Sequence, residues 1–169
     1  MTHNDQDTTI YFSKPSYLLR EAVEDDQETL RAWKNAHSHR FFHHEKISPA
    51  QQWQRFTHYL TRDEDHLFMV LVKALPTGCI GIRLLDDHWD LYNVIRGVHR
   101  LHSRGCMGTA LHHVIEFALQ RKAIPVQLKV LAKNLRTTGI KIIDFPLSKL
   151  RKTTLSCNIR LFHRHLQTS

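Results

Sequence analysis

Two apolar runs, LFMVLVK at residues 67–73 and CIGIRLL at residues 79–85, constrain the fold of this chain more than any other feature. Both are rich in Val, Ile and Leu, and the helical spacing that precedes them stops where they begin, so they are predicted to be β-strands. The intervening ALPTG contains Pro76 and Gly78, which suit a turn. The sequence therefore predicts an antiparallel hairpin that turns at these residues.

Four further segments have strand character. Residues 16–23, 91–98 and 126–132 are short apolar runs, and residues 153–162 alternate in polarity as a last strand does. The segment DDHWD at residues 86–90 is predicted to be a turn. Residues 134–145 suggest a helix, although Gly139 and a β-branched run weaken that prediction.

Three helices have clearer signals. Residues 24–35 begin with three acids, which suit a helix N-terminus, and place Leu30 and Trp33 on one face. Residues 48–51, SPAQ, combine a capping serine, a proline at the first helical position and a glutamine that completes a capping box. Apolar residues then follow at helical spacing and are predicted to form the packing stripe of this helix: Trp53, Phe56 and Leu60.

The third helix, residues 107–121, follows a glycine-bearing segment, HSRGCMGTAL at residues 102–111. Its predicted buried side consists of Leu111, Val114, Ile115, Ala118 and Leu119. Backbone amides at a helix start bind phosphates, and glycine permits the positive φ that lets such amides converge. Arg104 and the Thr109 hydroxyl are candidates to assist Gly105 and Gly108. The segment matches neither common nucleotide-binding glycine pattern.

Length and composition favour one domain. The 169 residues are 41% hydrophobic, enough for one sizeable core. Residues 1–14 are polar and predicted to be frayed, and residues 15–169 are predicted to form the domain, with 135–169 divergent. The chain lacks a long apolar segment and a signal-peptide pattern, so we expect a cytoplasmic protein without a membrane partner. Three scattered cysteines indicate no disulfide framework.

Positive charge is concentrated in the last third of the chain. Residues 117–169 carry 11 Lys and Arg against one acid, whereas residues 1–116 carry 13 against 15. Such an asymmetry suits a phosphorylated small ligand, an acidic lipid surface or nucleic acid, and also an ordinary solvated face. No nucleic-acid-binding motif is present, so nucleic acid is the disfavoured partner. The histidine clusters lack zinc-site spacing, and no metal is expected.

The order of these elements resembles that of the GNAT superfamily of acyl-CoA-dependent N-acyltransferases, over roughly residues 17–145. The segments LLREAVEDD, LRAWKN, EKISPAQQW and VQLKVLAKN resemble its branch of ribosomal-protein N-terminal and nucleotide-amino-sugar acetyltransferases. This resemblance implies an α/β fold of the α+β type. Its central sheet is expected to be mixed and mostly antiparallel, flanked by helices and splayed at the cofactor site.

The resemblance also implies acetyl-CoA as acyl donor and assigns residues to it. The strand LYNVIRGV is expected to run beside the pantetheine arm, and the glycine segment to cradle the pyrophosphate. In the family pattern Q/R-x-x-G-x-G/A, Gly105 is the matching glycine, while His102 and Met107 depart from it. The implied cofactor residues are Ile95, Arg96, Gly97, Val98, Arg104, Gly105, Cys106, Met107, Gly108, Thr109 and Asn134.

The implied reaction is direct transfer of the acetyl group to a primary amine, of a small molecule such as an amino sugar or of a protein N-terminus. Acceptor contacts are expected from Trp33, Asn35, Arg40 and Glu45, with Lys34 beside them. Proton transfer is assigned to Glu45, Asp87 and Lys141, with Asp86, His43 and His44 as alternatives. Lys141 stands where the family has a proton-donating tyrosine. A GNAT-like protein that binds acyl-CoA with impaired catalysis, a basic nucleic-acid-binding module and a homodimer stay open.

Overall fold

The protein forms one seven-stranded sheet with helices on both faces. A computed structural model describes residues 10–14, 17–40, 45–97, 105–131 and 157–162. The strands follow one another across the sheet in chain order, antiparallel from the first to the fifth and parallel from the fifth to the seventh. This arrangement confirms the predicted fold class. The elements are β1 Ile10–Lys14, β2 Tyr17–Glu21, α1 Gln27–Ala36, α2 Pro49–Tyr59, β3 Asp65–Val72, β4 Leu75–Leu84, β5 Trp89–Arg96, α3 Cys106–Arg121, β6 Val126–Leu131 and β7 Cys157–Phe162.

The central hairpin of β3 and β4 forms as predicted, but its turn lies elsewhere. The chain reverses at Lys73 and Ala74, whose φ angles are 51° and 62°. Pro76 and Gly78 belong to β4, so the predicted turn was wrong. Pro76 lies opposite Leu71 where the strand register shifts, and such an irregularity accommodates a residue without an amide hydrogen.

The sheet separates two cores. On the first face, here called the α3 face, α3 covers Phe68, Ile80 and Trp89, all fully buried. The predicted buried side of α3 is confirmed at four buried positions, Leu111, Val114, Ile115 and Ala118, whereas Leu119 is partly buried. On the second face, here called the α1–α2 face, the apolar cluster is smaller. It contains Ala22, Leu30, Leu67, Met69, Leu71, Cys79 and Ile95, with Trp33 packed against it.

The start of α2 matches its prediction, but its inner face does not. Ser48 Oγ accepts from the Gln51 amide at 3.2 Å, and Gln51 Oε1 accepts from the Ser48 amide at 2.9 Å, which completes the capping box. Of the predicted apolar stripe, Phe56 is buried, whereas Trp53 is 45% exposed and Leu60 63% exposed. That stripe is therefore wrong at two of its three positions.

A polar contact explains why α2 turns Gln52, rather than Trp53 or Leu60, toward the interior. Gln52 is only 3% exposed, and its Nε2 donates to Gln27 Oε1 of α1 at 2.8 Å. Gln27 Nε2 in turn donates to the Val23 carbonyl at 2.9 Å. Because this hydrogen-bonded pair satisfies its own polar groups, it can replace an apolar contact between the two helices.

Other segments differ from the sequence-based expectations in smaller ways. Residues Ile10–Lys14 form β1 against β2, so the expectation of a frayed segment through residue 14 was wrong there. The turn at DDHWD is tighter than predicted: the Leu85 amide bonds the His88 carbonyl, and Trp89 already begins β5. Residues 134–145, with their weakly predicted helix, lie outside the described residues. No helix in the described part of the chain is both long and apolar enough to cross a membrane.

Candidate functional site

The sheet opens between β5 and β6. These parallel strands pair only at Trp89 with Val126, Asp90 with Gln127 and Leu91 with Leu128. Beyond this point β6 stays paired with β7 through Leu131, whereas residues 92–96 of β5 have no partner in β6. Among the described strands this edge of β5 is therefore unpaired, and an unpaired strand edge is the kind of surface to which an extended ligand binds. This is the splay that the sequence led us to expect.

A bulge in β5 lies where the strands part. Cys79 pairs with Ile95 and Gly81 with Tyr92, so β5 contains one residue more than β4 over this stretch. Asn93 supplies the irregularity, with a φ of 48°. A bulge bends a strand and increases its local twist, which directs β5 away from β6. The Cys79 thiol donates to the Asn93 carbonyl at 3.3 Å.

The first turn of α3 begins at a glycine in a left-handed conformation. Gly105 precedes the helix with a φ of 79°, in the left-handed region that glycine tolerates best. The first helical hydrogen bond within the described residues runs from the Thr109 amide to the Gly105 carbonyl, at 3.1 Å. Within the described residues, the amides before Thr109 have no helical acceptor, and the helix dipole adds about half a positive charge at this end. The Thr109 hydroxyl also donates to the Gly105 carbonyl, at 3.2 Å, so its proton is already used.

Contacts at Gly78 join this helix start to the open strand edge. A Cβ at Gly78 would lie 2.5 Å from Met107 Sδ and 2.6 Å from the Ile95 carbonyl. Met107 therefore packs directly over β4, beside the unpaired part of β5. Cys106 is 8% exposed and belongs to the core of the α3 face, so its thiol is not presented to a ligand. An added Cβ at Gly105 or Gly108 would meet no atom of the described residues within 4 Å.

On the opposite face, Trp33 lies against the end of β5. A Cβ at Gly97 would fall 2.0 Å from the Trp33 ring, so the ring rests on the Gly97 backbone. This contact brings a predicted acceptor residue to a predicted cofactor residue. Asn35 has a different use: its side chain donates to the Ile47 carbonyl at 2.9 Å and accepts from the Ile47 amide at 2.8 Å. Asn35 thereby clamps the segment that leads into α2.

The other predicted site residues are scattered or lie outside the description. Glu45 is exposed in the segment between α1 and α2. Asp87 is exposed beside His88, at the start of β5 and so at the end of the sheet away from the gap. The backbone of Arg40 is described but its side chain is not. The remaining predicted residues lie outside the described ranges: Val98, Arg104, Asn134 and Lys141, together with His43 and His44.

Burial shifts the pKa values of three groups on the α1–α2 face. Burial raises the pKa of the Cys79 thiol to about 12, which keeps it protonated at neutral pH. Burial also lowers the pKa of Lys34, and the neighbouring cation Arg55 lowers it further. Tyr92 donates to Asp65 Oδ1 at 2.5 Å, and its pKa is raised first by burial and then by that bond. Neither Cys79 nor Tyr92 is therefore an anionic nucleophile at neutral pH.

Two contributors to this geometry were missed by the sequence analysis. Gly78 was assigned to a turn, although an isolated glycine inside a strand pattern is a known signal of close backbone approach. Asn93 carries no such signal, because asparagine is common at many surface positions. Within the described ranges, no group of three or more His, Cys, Asp or Glu side chains is placed to hold a metal ion.

The chain matches known proteins at the level of family and fold. The family model of the acetyltransferase (GNAT) domain matches residues 17–140, and no curated protein sequence matches the chain. Among solved structures, spermidine N-acetyltransferase from Vibrio cholerae, in complex with CoA and spermine, is 12% identical with a TM-score of 0.62, over 73% of this chain and 76% of that one. A Methanocaldococcus jannaschii domain is 15% identical with a TM-score of 0.57, over 71% and 80%.

A third similar structure is a GNAT-family acetyltransferase from Streptococcus pneumoniae. It is 19% identical with a TM-score of 0.53, over 70% of this chain and 77% of that one. Identities this low show a shared fold and do not carry a substrate from one protein to another. The family model, by contrast, spans most of the chain and includes both the open strand edge and the helix start. The chain therefore belongs to the GNAT acetyltransferase family.

Proposed function

We propose that this protein transfers the acetyl group of acetyl-CoA directly to a primary amine, of a small molecule such as an amino sugar or of a protein N-terminus. GNAT acetyltransferases use acetyl-CoA. The observation that supports the proposal is the junction at Gly78, where the edge of β5 that β6 leaves unpaired and the first turn of α3 meet through Met107. A long ligand with an amide-bearing arm and a pyrophosphate needs both features side by side.

The donor side of the site fits acetyl-CoA. The pantetheine arm carries amide groups, and residues 92–96 offer backbone donors and acceptors along an open edge. The pyrophosphate suits the amides of Cys106, Met107 and Gly108, with Gly105 leaving the approach open. By resemblance, Val98 and Arg104 extend these two surfaces and Asn134 faces the ligand. The basic last third of the chain is proposed to favour the adenosine phosphate.

The acceptor side is proposed to lie on the α1–α2 face, around Trp33. Acetyl-CoA, when bound, supplies a thioester, from which the amine takes the acetyl group while the CoA thiolate leaves. The protein has to hold the amine beside the gap and remove its proton. We retain Glu45 for this proton removal because it lies in the segment that Asn35 fixes at Ile47. Asp87 and Lys141 remain secondary candidates for proton transfer, and Arg40 for acceptor contact.

The decisive experiment compares two substitutions at one position. Gly105→Asp and Gly105→Asn place side chains of nearly equal shape at the same left-handed residue, and both residue types tolerate that conformation and cap helices. They differ in charge. By calorimetric titration with acetyl-CoA, we expect the parent and Gly105→Asn to bind and Gly105→Asp to lose at least tenfold in affinity. Equal affinities of the two variants would contradict a pyrophosphate at α3.

A turnover assay then separates the proposed enzyme from its alternatives. Acetyl-CoA-dependent release of free thiol in the presence of a primary amine is expected for an N-acetyltransferase. Binding of acetyl-CoA without thiol release by any amine would identify an acyl-CoA-binding protein with impaired catalysis. A parent protein that binds no acetyl-CoA but binds duplex DNA with a steep salt dependence would favour the basic module instead.

A further inference from the structure

The bulge in β5 interrupts the alternation of side chains along that strand. Leu91 and Val94 both pack into the core of the α3 face, although residues three apart in a regular strand point to opposite faces. Ile95, the next residue, belongs to the apolar cluster of the α1–α2 face. Asn93 absorbs the irregularity with its φ of 48°. This conformation costs free energy in a residue other than glycine, so it persists only where the surroundings support it.

The side chain of Cys79, on β4, supports the bulge. Its thiol is fully buried and donates to the Asn93 carbonyl at 3.3 Å. Because burial raises the pKa of this thiol to about 12, the thiol keeps the proton that the hydrogen bond requires at neutral pH. Cys79 also pairs with Ile95, the residue at which the regular register resumes. One residue of β4 therefore contacts the centre of the bulge and also forms the strand pair that ends it.

A second contact anchors β5 before the bulge. Tyr92 pairs with Gly81, and a Cβ at Gly81 would lie 2.5 Å from the Tyr92 ring, so the ring rests on the β4 backbone. The Tyr92 hydroxyl donates to Asp65 Oδ1 of β3 at 2.5 Å. The strand is thus held in register at Tyr92 and again at Ile95. Between these two points, the bond from Cys79 orients the peptide unit that joins Asn93 to Val94.

A fixed carbonyl also fixes the amide of the same peptide unit. The Asn93 carbonyl and the Val94 amide belong to one planar trans unit, in which the two groups point in opposite directions. Since the carbonyl is directed to Cys79 on β4, the Val94 amide is directed away from β4. On that side, β6 leaves residues 92–96 of β5 unpaired. The Val94 amide is therefore oriented toward the gap between β5 and β6.

We propose that Cys79 is a positioning residue for acetyl transfer, whose thiol holds the Asn93–Val94 peptide unit so that the Val94 amide donates to the thioester carbonyl. The inference rests on the proposed function and adds to it a side chain that does not touch the ligand. In the transfer, the amine nitrogen bonds to the carbonyl carbon, the C–S bond breaks, CoA leaves as a thiolate and the amine proton passes to the base. Negative charge develops on the carbonyl oxygen meanwhile, and an amide donor fixed in advance stabilises it.

Three variants test the role of the thiol. Cys79→Ala removes the hydrogen-bond donor, whereas Cys79→Ser keeps a donor in a side chain of similar size. Thr77→Val is the matched control, because Thr77 also lies on β4, is only 3% exposed and donates its hydroxyl to the Val70 carbonyl at 2.9 Å. This variant loses the same kind of buried hydrogen bond from the same strand without altering the bulge.

The first measurement uses the protein without ligand. An NMR spectrum that links each amide to the preceding carbonyl carbon contains one cross-peak for the Val94 amide and the Asn93 carbonyl. A carbonyl carbon that loses a hydrogen bond shifts upfield. We expect this shift in Cys79→Ala, and a resonance close to that of the parent in Cys79→Ser and Thr77→Val. An Asn93 carbonyl resonance that stays at its parent position in Cys79→Ala overturns the proposal.

The second measurement uses bound acetyl-CoA labelled at the thioester carbon. A carbonyl that accepts a hydrogen bond absorbs infrared light at lower frequency. We expect the thioester band to be lowered on binding to the parent, Cys79→Ser and Thr77→Val, and to be lowered less on binding to Cys79→Ala. Equal bands in the parent and Cys79→Ala would show that the thiol does not set the position of the amide.

Turnover supplies the third measurement, by thiol release with glucosamine or spermidine, whichever is the faster acceptor. Cys79→Ala should lose at least about tenfold in kcat with little change in acetyl-CoA affinity by calorimetry, since the donor acts mainly in the transition state. Cys79→Ser should recover most of this loss. An equal loss in Cys79→Ser or in Thr77→Val overturns the proposal. A parent protein that binds no acetyl-CoA contradicts the proposed function instead, and the Asn93 carbonyl resonance then still decides whether Cys79 holds the bulge.

Discussion

The two faces of the sheet are built from different chemistry. The α3 face buries large apolar side chains such as Phe68, Ile80 and Trp89 against one long helix. The α1–α2 face has a smaller apolar cluster and also buries Gln27 and Gln52, with Lys34 beside them. Buried polar groups cost free energy unless they are hydrogen-bonded, and Gln27 and Gln52 meet that condition through their own hydrogen bonds.

The difference indicates a division of work between the faces. Apolar packing on the α3 face is non-directional and supplies stability. Hydrogen bonds on the α1–α2 face are directional and set the orientation of the helices that carry Trp33 and Lys34. Substitutions that remove side-chain volume are thus expected to destabilise the protein most on the α3 face. Substitutions on the α1–α2 face are expected to change most which ligands bind.

The largest effect is expected from Phe68→Ala on the α3 face. Phe68 is fully buried and packs edge-on against Phe117, with ring centroids 5.2 Å apart. Removal of the ring leaves a cavity and should lower the free energy of unfolding by about 3–5 kcal/mol, as measured by urea denaturation. Leu60→Ala, at a residue 63% exposed, is the control and should change stability by less than about 0.5 kcal/mol. Similar losses of stability in Phe68→Ala and Leu60→Ala would contradict the assignment of stability to the α3 face.

The next largest effect is a loss of stability at alkaline pH. Burial raises the pKa of Cys79 from its ordinary 9.0 to about 12. Its stabilising contribution is therefore complete below pH 9 and is lost as the pH rises through 12, at up to about 1.4 kcal/mol per pH unit. Urea denaturation between pH 8 and 10 should show this loss, and Cys79→Ala should remove it. Tyr17, whose pKa burial raises from 10.0 to about 12, belongs to the α3 face, and Tyr17→Phe should leave the decline between pH 9 and 10 intact.

How far sequence predicts this fold depends on the kind of signal. The hairpin strands and the buried side of α3 follow from apolar periodicity, which reflects burial directly. The hairpin turn does not, because Lys73 and Ala74 adopt positive φ without the Asn-Gly signature of such turns. The inner face of α2 was misassigned because Gln52 is buried through a partner 25 residues away. A polar residue carries no local sign of such a partner.

The candidate site likewise has parts that the sequence predicts and parts that it does not. Gly105 was predicted because glycine at a helix start has a local conformational reason, and its positive φ agrees. The close contacts of Gly78 with Met107 and of Gly97 with Trp33 depend on which side chains cross the sheet. No spacing in the sequence encodes that. The contact of Lys34 Nζ with Gln52 Oε1 likewise becomes visible only when α1 and α2 are packed together.

A smaller effect is expected on the α1–α2 face, from Gly97→Ala at the end of β5. The added Cβ falls 2.0 Å from the Trp33 ring, so the ring or the strand has to move. We expect a loss of about 1–3 kcal/mol in the free energy of unfolding, together with altered acceptor use in the thiol-release assay. Gly108→Ala is the matched control, since its Cβ meets nothing within 4 Å and alanine favours the helix by about 0.5–1 kcal/mol. A stable Gly97→Ala variant would show that Trp33 does not rest on this backbone.

The smallest effect is expected at the turn, which belongs to neither face. Lys73 and Ala74 are both exposed and both have positive φ, which non-glycine residues adopt at a cost. Replacing the pair by Asn-Gly supplies residues suited to these angles and should raise the free energy of unfolding by about 1 kcal/mol. Acetyl-CoA affinity and acceptor preference should stay unchanged, because neither core is altered. If stability rises and acceptor preference also changes, the hairpin is coupled to the α1–α2 face, and the two faces do not act as separately as their chemistry indicates.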